Sequence, residues 1–302
     1  MRFTWQKDDQ GEETVKTFLS RHGVSHRMFR TIKHDQGKVL VDHRSQRLGH
    51  LLINPCAVTL ILAPEKSDPG VPPSDGQLNV LYEDTNWLVI DKQAGLNSVP
   101  GPNDRSDTLV NRVKGYLLSQ NAKDLVPHVL TRLDRFTSGL TLVAKHRFAQ
   151  GLINKQMEDH SVVKKYVALV EGHVEKQHDL IDLPLRQSAG SFAQEVNEAG
   201  KSARTEYWVL ENFGSLATLV EVQLHTGRTH QIRAHFSYLG HPLVGDELYG
   251  GQCDEFGMRR QALHAAKLVF VDPFTNKKLK YESRLPQDLA ATLKYLRNEK
   301  SQ

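Results

Sequence analysis

In the stretch VLTRLDRFTSGLTLVAK, Val129 to Lys145, one carboxylate, Asp134, stands between Arg132 and Arg135. VLTRLD has strand character, and Thr-Ser-Gly is turn chemistry that leads into a second apolar strand, LTLVAK. The acid then falls at a strand end, on the lip of a loop, where reactive groups are commonly displayed. An opposite charge within about 4–6 Å favours the ionised carboxylate even when water is withdrawn. A surface ion pair and a reactive acid in a dry pocket both fit this spacing.

A second stretch, LHTGRTHQIRAHFSYLGHPLVGDELYGG, Leu224 to Gly251, brings a possible partner. Thr229 is expected to cap a helix running to Tyr238, with Gly240 ending it. Ile232, Phe236 and Leu239 form its apolar stripe, while His230, Arg233 and Ser237 lie together well off it. An arginine on such a helix could reach a carboxylate in a shared cleft. The histidines at 225, 230, 235 and 241 lack the i, i+4 spacing with an adjoining glutamate that a helical zinc site uses, so no metal is expected.

The elements that must position these groups can be read around them. The chain has 302 residues, 39% hydrophobic and 25% charged, enough for one large domain or a large and a small one. Two distant cysteines, Cys56 and Cys253, suggest a reducing compartment, and the longest apolar run, AVTLILA from Ala57, is too short to cross a bilayer. The protein is expected to be cytoplasmic, with no membrane association and no signal segment in MRFTWQKDDQGEE. The net charge of +4 is uneven: residues 1–63 hold ten Lys or Arg against six Asp or Glu, and the remainder is neutral. A small basic module in front of a neutral body points to nucleic acid.

APEKSDPGVPPSDG, Ala63 to Gly76, reads as a linker, which divides the chain into 1–63, a connecting segment 64–77 and a body 78–302. In front of it, TVKTFLSRHG and SHRMFRTIKHDQG read as short helices, the second capped by Ser25, followed by strands KVLVD and AVTLIL. On the second helix Met28, Phe29 and Ile32 share one face, and Arg27, Arg30 and His34 cluster opposite, with Lys33 adding to the basic side. The body is strand-rich. LNVLYEDTNWLVIDKQAG reads as two strands joined at Asp84–Asn86, and ARTEYWVLENFGSLATLVEVQLHTG as a hairpin turned at Asn212–Ser215. KYVALVEG and KLVFVDP add strands; DTLVNRVKGYLLSQ, RFAQGLINKQME and QDLAATLKYLRN read as helices. The expected class is α+β, with a mixed, mainly antiparallel sheet behind a small α/β module.

RLDRFTSGLTLVAK, KKYVALVEG, the Leu224–Gly251 stretch and ALHAAKLVFVDPFT, in this order, resemble the RluA-type pseudouridine synthases from about Leu78 to about Leu285. The front module, on GVSHRMFRTIKHDQGKVLVD, is similar to the S4-type RNA-binding fold. The resemblance implies isomerisation of uridine in RNA to its C-glycoside, without metal or organic cofactor. It implies that Asp134 is the catalytic aspartate, that Tyr166 stacks on the flipped base, that Arg233 pairs with the aspartate, and that Arg132 enters the place the base vacates. Arg27, Arg30, Lys33 and His34 would meet RNA from the front module. Thr131, Phe136 and Gln93 depart from the family pattern, in which histidine, a polar residue and proline are usual, and they bear on substrate choice.

The resemblance favours large-subunit ribosomal RNA as substrate, with transfer RNA the alternative; a monomer is the default expectation. Two other readings stay open on the sequence. A catalytically silent RNA-binding or ribosome-assembly protein has no reason to keep Asp134, Tyr166 and Arg233 together. A metal-dependent nuclease using the histidine-rich stretch predicts an activity lost to chelators.

Overall fold

The computed structural model describes residues 1–102, 104–252 and 254–299; Cys253 lies outside them. The fold is α+β. Residues 1–62 form a four-stranded antiparallel sheet in which Cys56–Leu62 lies between Arg2–Lys7 and Gly37–Val41, with the short strand Arg44–Ser45 at one edge. Helices α1 (Val15–Arg21) and α2 (His26–Thr31) cover it. The Thr14 and Ser25 hydroxyls accept the N–H groups of Thr17 and Met28, and so satisfy donors that each first turn leaves open. Met28, Phe29 and Ile32 are buried as their spacing requires. The second helix ends earlier than expected: after Thr31 the chain widens into a π-turn, Ile32–Gln36, before Gly37.

Arg2–Lys7, part of a terminus that the sequence shows only as polar, is a strand. Phe3 and Trp5 share one of its faces, and Phe3 sits 4.6 Å, ring to ring, from Phe148 at the start of α4 (Arg147–Glu158). Phe148 is fully buried in the front module's own cluster, and Phe274 packs on it from another loop of the body. The connecting run 63–79 contains no helix or strand, yet it is held at several points. Glu65 accepts from the Arg147 N–H, and Asn111 donates to the Pro72 carbonyl.

The body is a ten-stranded sheet. Its main order is His178–Asp182, Arg204–Phe213, Ala217–Leu224, Val163–Glu171, Leu263–Val271, Ser138–Ala144, Trp87–Lys92 and Val80–Glu83. Every pairing is antiparallel but one, Ser138–Ala144 beside Leu263–Val271. That exception adjoins Asp134. Both sheet faces are covered, so the two-residue alternation sends side chains into two cores. From Val163–Glu171, Tyr166, Ala168 and Val170 meet Ile232 and Phe236 of α5 (Gln231–Tyr238), while Leu169 meets Leu289 and Leu293 of α6 (Gln287–Glu299). Ser138–Ala144 is likewise packed by α3 (Leu109–Ser119) through Val143 and by α4 through Leu142. No helix among the described residues is long and apolar enough to cross a membrane.

Three further local expectations fail. VLTRLD is strand only at its first residue, Val129, which closes the two-residue strand His128–Val129, and residues 130–137 form an irregular loop. Thr229 does not cap α5: the cap position is His230, held in the left-handed region at φ 52°, and Leu239 is largely exposed rather than part of the buried stripe.

Candidate active site

The loop carrying Asp134 owes its shape to contacts that replace strand pairing. The Thr131 hydroxyl accepts the Leu142 N–H at 2.8 Å, so the residue that departs from the family pattern serves here as a side-chain substitute for a ladder bond. Ser98 grips Leu133 twice, accepting its N–H at 3.0 Å and donating to its carbonyl at 2.6 Å. Beneath the loop, Lys92 donates to the carbonyls of Gln93, Leu96 and Arg135 at 2.9, 2.8 and 3.1 Å. Burial pulls its ammonium down to about 7, with Asp134 opposing. Three acceptors nonetheless call for three N–H donors, which only the charged form has. Beyond the loop Gly139 takes φ +110°, and a Cβ there would lie 2.3 Å from the Ala265 carbonyl, so the parallel strand contact requires glycine.

Neither arginine that flanks Asp134 in sequence pairs with it. Arg135 donates to the Gly95 carbonyl and lies over the Phe136 ring, and Arg132 is exposed at the rim of the cleft. The partner comes from 99 residues away: Arg233 Nη1 is 3.3 Å from Asp134 Oδ2. The rest of that guanidinium is committed to Asp246, Nε to Oδ2 at 2.6 Å and Nη2 to Oδ1 at 2.8 Å. Asp246 is 1% exposed at its side chain and Asp134 26%, so one arginine bridges a sealed carboxylate and an accessible one. Burial works against the charge on Arg233, but the Asp246 hydrogen bonds and the two carboxylates outweigh it and push its pKa up. Tyr249 lies beneath, its ring centre 4.9 Å from the guanidinium carbon, a cation–π contact.

Tyr166 is buried at the same place. Its strand slips register against Leu263–Val271 between Lys165 and Tyr166, a bulge of the kind that re-aims a side chain. Burial first, and the Asp134 charge second, push its hydroxyl well above the ordinary phenol range, so it is a neutral aromatic surface at physiological pH. His230 brings Nε2 to 3.9 Å from Asp134 Oδ2; burial lowers its pKa, with Asp134 opposing. Asp134, Tyr166, Arg233, Arg132, His230 and Lys164 all line one cleft of about 520 Å³. Lys164 is partly buried there, its pKa lowered by burial, and its ammonium meets no carboxylate among the described residues.

Sequence reasoning brings Asp134, Tyr166 and Arg233 forward, and the structure brings them together. It passes over Asp246, Tyr249, Lys92 and Ser98. Asp246 follows Gly245, whose φ of +76° and 2.3 Å Cβ clearance from the Arg260 carbonyl allow the turn that aims the acid inward. Gly-Asp alone carries no sign of that burial. Phe136 is exposed, and Gln93 contributes its backbone carbonyl to Lys92. In the front module Arg27, Arg30, Lys33 and His34 are exposed. Arg30 and Lys33 line a groove of about 830 Å³ that also takes in Lys16, Lys38 and Arg47, with no carboxylate among its described lining residues.

Comparison with known proteins gives the family and the fold. The family model for RNA pseudouridylate synthase matches residues 86–238. A Bacillus subtilis protein named as the uncharacterized RNA pseudouridine synthase YjbO is 35% identical over 282 residues, 93% of this chain and 98% of that one. The ribosomal large subunit pseudouridine synthase D of Nitrosomonas europaea is 40% identical over 231 residues, 73% of this chain and 66% of that one. Among solved structures, the human RNA pseudouridylate synthase domain containing 4 shares the fold with a TM-score of 0.60 at 23% identity, over 72% of this chain and 93% of that one.

Proposed function

This chain belongs to the RNA pseudouridylate synthase family, and on that footing we propose that Asp134 is the carboxylate that moves uracil from its nitrogen to its carbon linkage with ribose. The enzyme is an isomerase acting on uridine in RNA. Its RNA is large-subunit ribosomal RNA in this reading, supported by relatives named as ribosomal large subunit pseudouridine synthase D. The observation that carries the assignment is one cleft in which a loop acid, a guanidinium from 99 residues away and a buried tyrosine converge.

A uridine in folded RNA must leave its stack to be reworked, at a cost of a few kcal/mol. Stacking on an aromatic ring returns roughly 1–3 kcal/mol, the part proposed for Tyr166. Entry into the gap left in the RNA is the part proposed for Arg132, a reading supported by its exposure at the cleft rim. Asp134 then attacks ribose C1′, attacks C6 of the base, or takes the C2′ proton. Each route breaks the N1–C1′ bond, forms C5–C1′, and ends with the C5 proton lost and N1 protonated. A carboxylate close to a guanidinium, in a cleft that RNA would close to water, suits all three. Residues 1–63 act as an S4-like RNA-binding module in front of the catalytic body, 78–302, and the basic groove, with no carboxylate among its described lining residues, supports that role.

The test is Asp134→Asn. Tritium release from RNA labelled at uridine C5 should fall to background while RNA affinity stays within a few-fold of the parent. Retained turnover would remove Asp134 from the chemistry. Mapping pseudouridines in total RNA with and without the protein identifies the uridine.

A further inference from the structure

Tyr249 touches the groups that surround Asp134 without touching Asp134 itself. Its hydroxyl oxygen accepts the Gln194 N–H at 2.7 Å and stands 3.1 Å from His230 Nδ1, while its ring carries the Arg233 guanidinium. Its backbone is fixed as well, the N–H to the Asp246 carbonyl and the carbonyl to the Ser237 hydroxyl. Burial pushes the phenol up to about 12, so the hydroxyl keeps its proton. With Gln194 already donating to the oxygen, that proton has one acceptor among the described residues, His230 Nδ1.

A neutral imidazole that accepts at Nδ1 carries its own proton at Nε2. Nε2 is the nitrogen that stands 3.9 Å from Asp134 Oδ2. The opposite tautomer would turn a lone pair toward that carboxylate. The His230 backbone is held in the left-handed region, at φ 52° and ψ 19°, just ahead of α5. The charges around it are Asp134 on the loop, Arg233 on α5 and Asp246 on the following turn; burial and Arg233 favour the neutral ring, and both carboxylates oppose them.

We propose that Tyr249 is a positioning residue that sets His230 as the Nε2–H tautomer, so that Asp134 has a second N–H directed at the oxygen Arg233 already touches. At 3.9 Å this is an electrostatic contact, and it shortens to a hydrogen bond when RNA closes the cleft. The Gln194 bond ties the arrangement to the hairpin Leu185–Gln187/Gln194–Val196, so the setting of that hairpin is coupled to the carboxylate.

The inference rests on the assignment of Asp134, and its readout is chosen to stand apart from it. Long-range proton–nitrogen NMR of the full chain, with nitrogen-15 histidine and His230→Gln to assign the signal, reads the tautomer in the resting enzyme. Wild type should show Nε2–H. Tyr249→Phe, which keeps the ring under Arg233, should shift the signal toward Nδ1–H and lower kcat about tenfold with KM unchanged. His230→Gln, whose amide can place an N–H near the Nε2 position, should keep more turnover than His230→Asn. If Tyr249→Phe does not fold, this Gln/Asn pair decides. An Nδ1–H signal in wild type, an unchanged tautomer in Tyr249→Phe, or equal turnover for Gln and Asn overturns the proposal. Full activity in Asp134→Asn would instead overturn the assignment of Asp134 and leave the tautomer result intact.

Discussion

Removing Arg233 should damage the protein in two separable ways. In Arg233→Ala, Asp246 loses both of its hydrogen-bond partners while its side chain remains 1% exposed, an unpaired charge sealed from water. Breaking one side of a buried ion pair costs about 3–5 kcal/mol. In a chain of this size a kcal/mol moves Tm by about 2–4 °C or somewhat less, so a fall of roughly 5–15 °C is expected. Asp134, with 26% exposure, can be rehydrated and adds little to that cost. Turnover should fall by about 100-fold or more, the usual scale for losing a preorganised charge partner in a closed site. Arg233→Ala/Asp246→Asn then separates the effects. Neutralising Asp246 should restore most of the melting temperature and none of the turnover. Two assays, thermal melting and tritium release, suffice. A double variant that regains activity, or an Arg233→Ala protein that melts with wild type, would show that the guanidinium does not hold the two acids as described.

Two further outcomes follow from other parts of the structure. Burial holds the imidazole of His146 down to about 4, against 6.5 when unfolded. Between those values the unfolded chain binds the extra proton, so stability is full above pH 6.5 and falls as pH drops toward 4, by about 3 kcal/mol. His146→Asn, which retains a cap for the Ala149 N–H, should flatten this part of a denaturant-midpoint-against-pH curve. In the front module, replacing Arg27, Arg30 and Lys33 by Gln should reduce the slope of log affinity against log salt by about 0.7–0.9 for each phosphate no longer neutralised. Point changes are preferred to deleting residues 1–63 because Phe148 would be uncovered by the deletion; an unchanged slope would mean that α2 does not meet phosphate.

What can be read in advance follows from how local each signal is. The pair of strands ending at Glu83 and starting at Trp87, and the α4 span Arg147–Glu158, are legible because strand alternation, turn residues and helical periodicity all lie within about a dozen residues. Arg2–Lys7 is not, since Phe3 and Trp5 stand among polar residues and become a face only against Cys56–Leu62 and Phe148. Leu130 and Leu133 imitate a strand, but the loop's real bonds run to Ser98, Lys92 and the Thr131 hydroxyl, none of which has a periodicity. The family resemblance brings Asp134 and Arg233 forward as a pair. It does not bring Asp246, since nothing in a Gly-Asp dipeptide tells a sealed acid from a solvated one.

The unequal sharing of Arg233 suits the site to the chemistry proposed for Asp134. Charged hydrogen bonds between nitrogen and carboxylate are strongest near about 2.7–2.9 Å. Asp246 has two contacts at 2.6 and 2.8 Å, while Asp134 has one at 3.3 Å, and its Oδ1 makes no hydrogen bond among the described residues. An acid clamped as firmly as Asp246 would be too well stabilised to act as base or nucleophile. An acid with no counter-charge would tend to take up a proton as RNA excluded water from the cleft. Asp246 anchors the guanidinium and Asp134 feels its charge without being consumed by it. Turning Asp246 into a neutral residue should therefore let Arg233 swing toward Asp134, tightening that pair and slowing turnover even though no group in contact with the nucleoside has changed. Asp246→Asn that works at the wild-type rate would refute this division of labour between the two carboxylates.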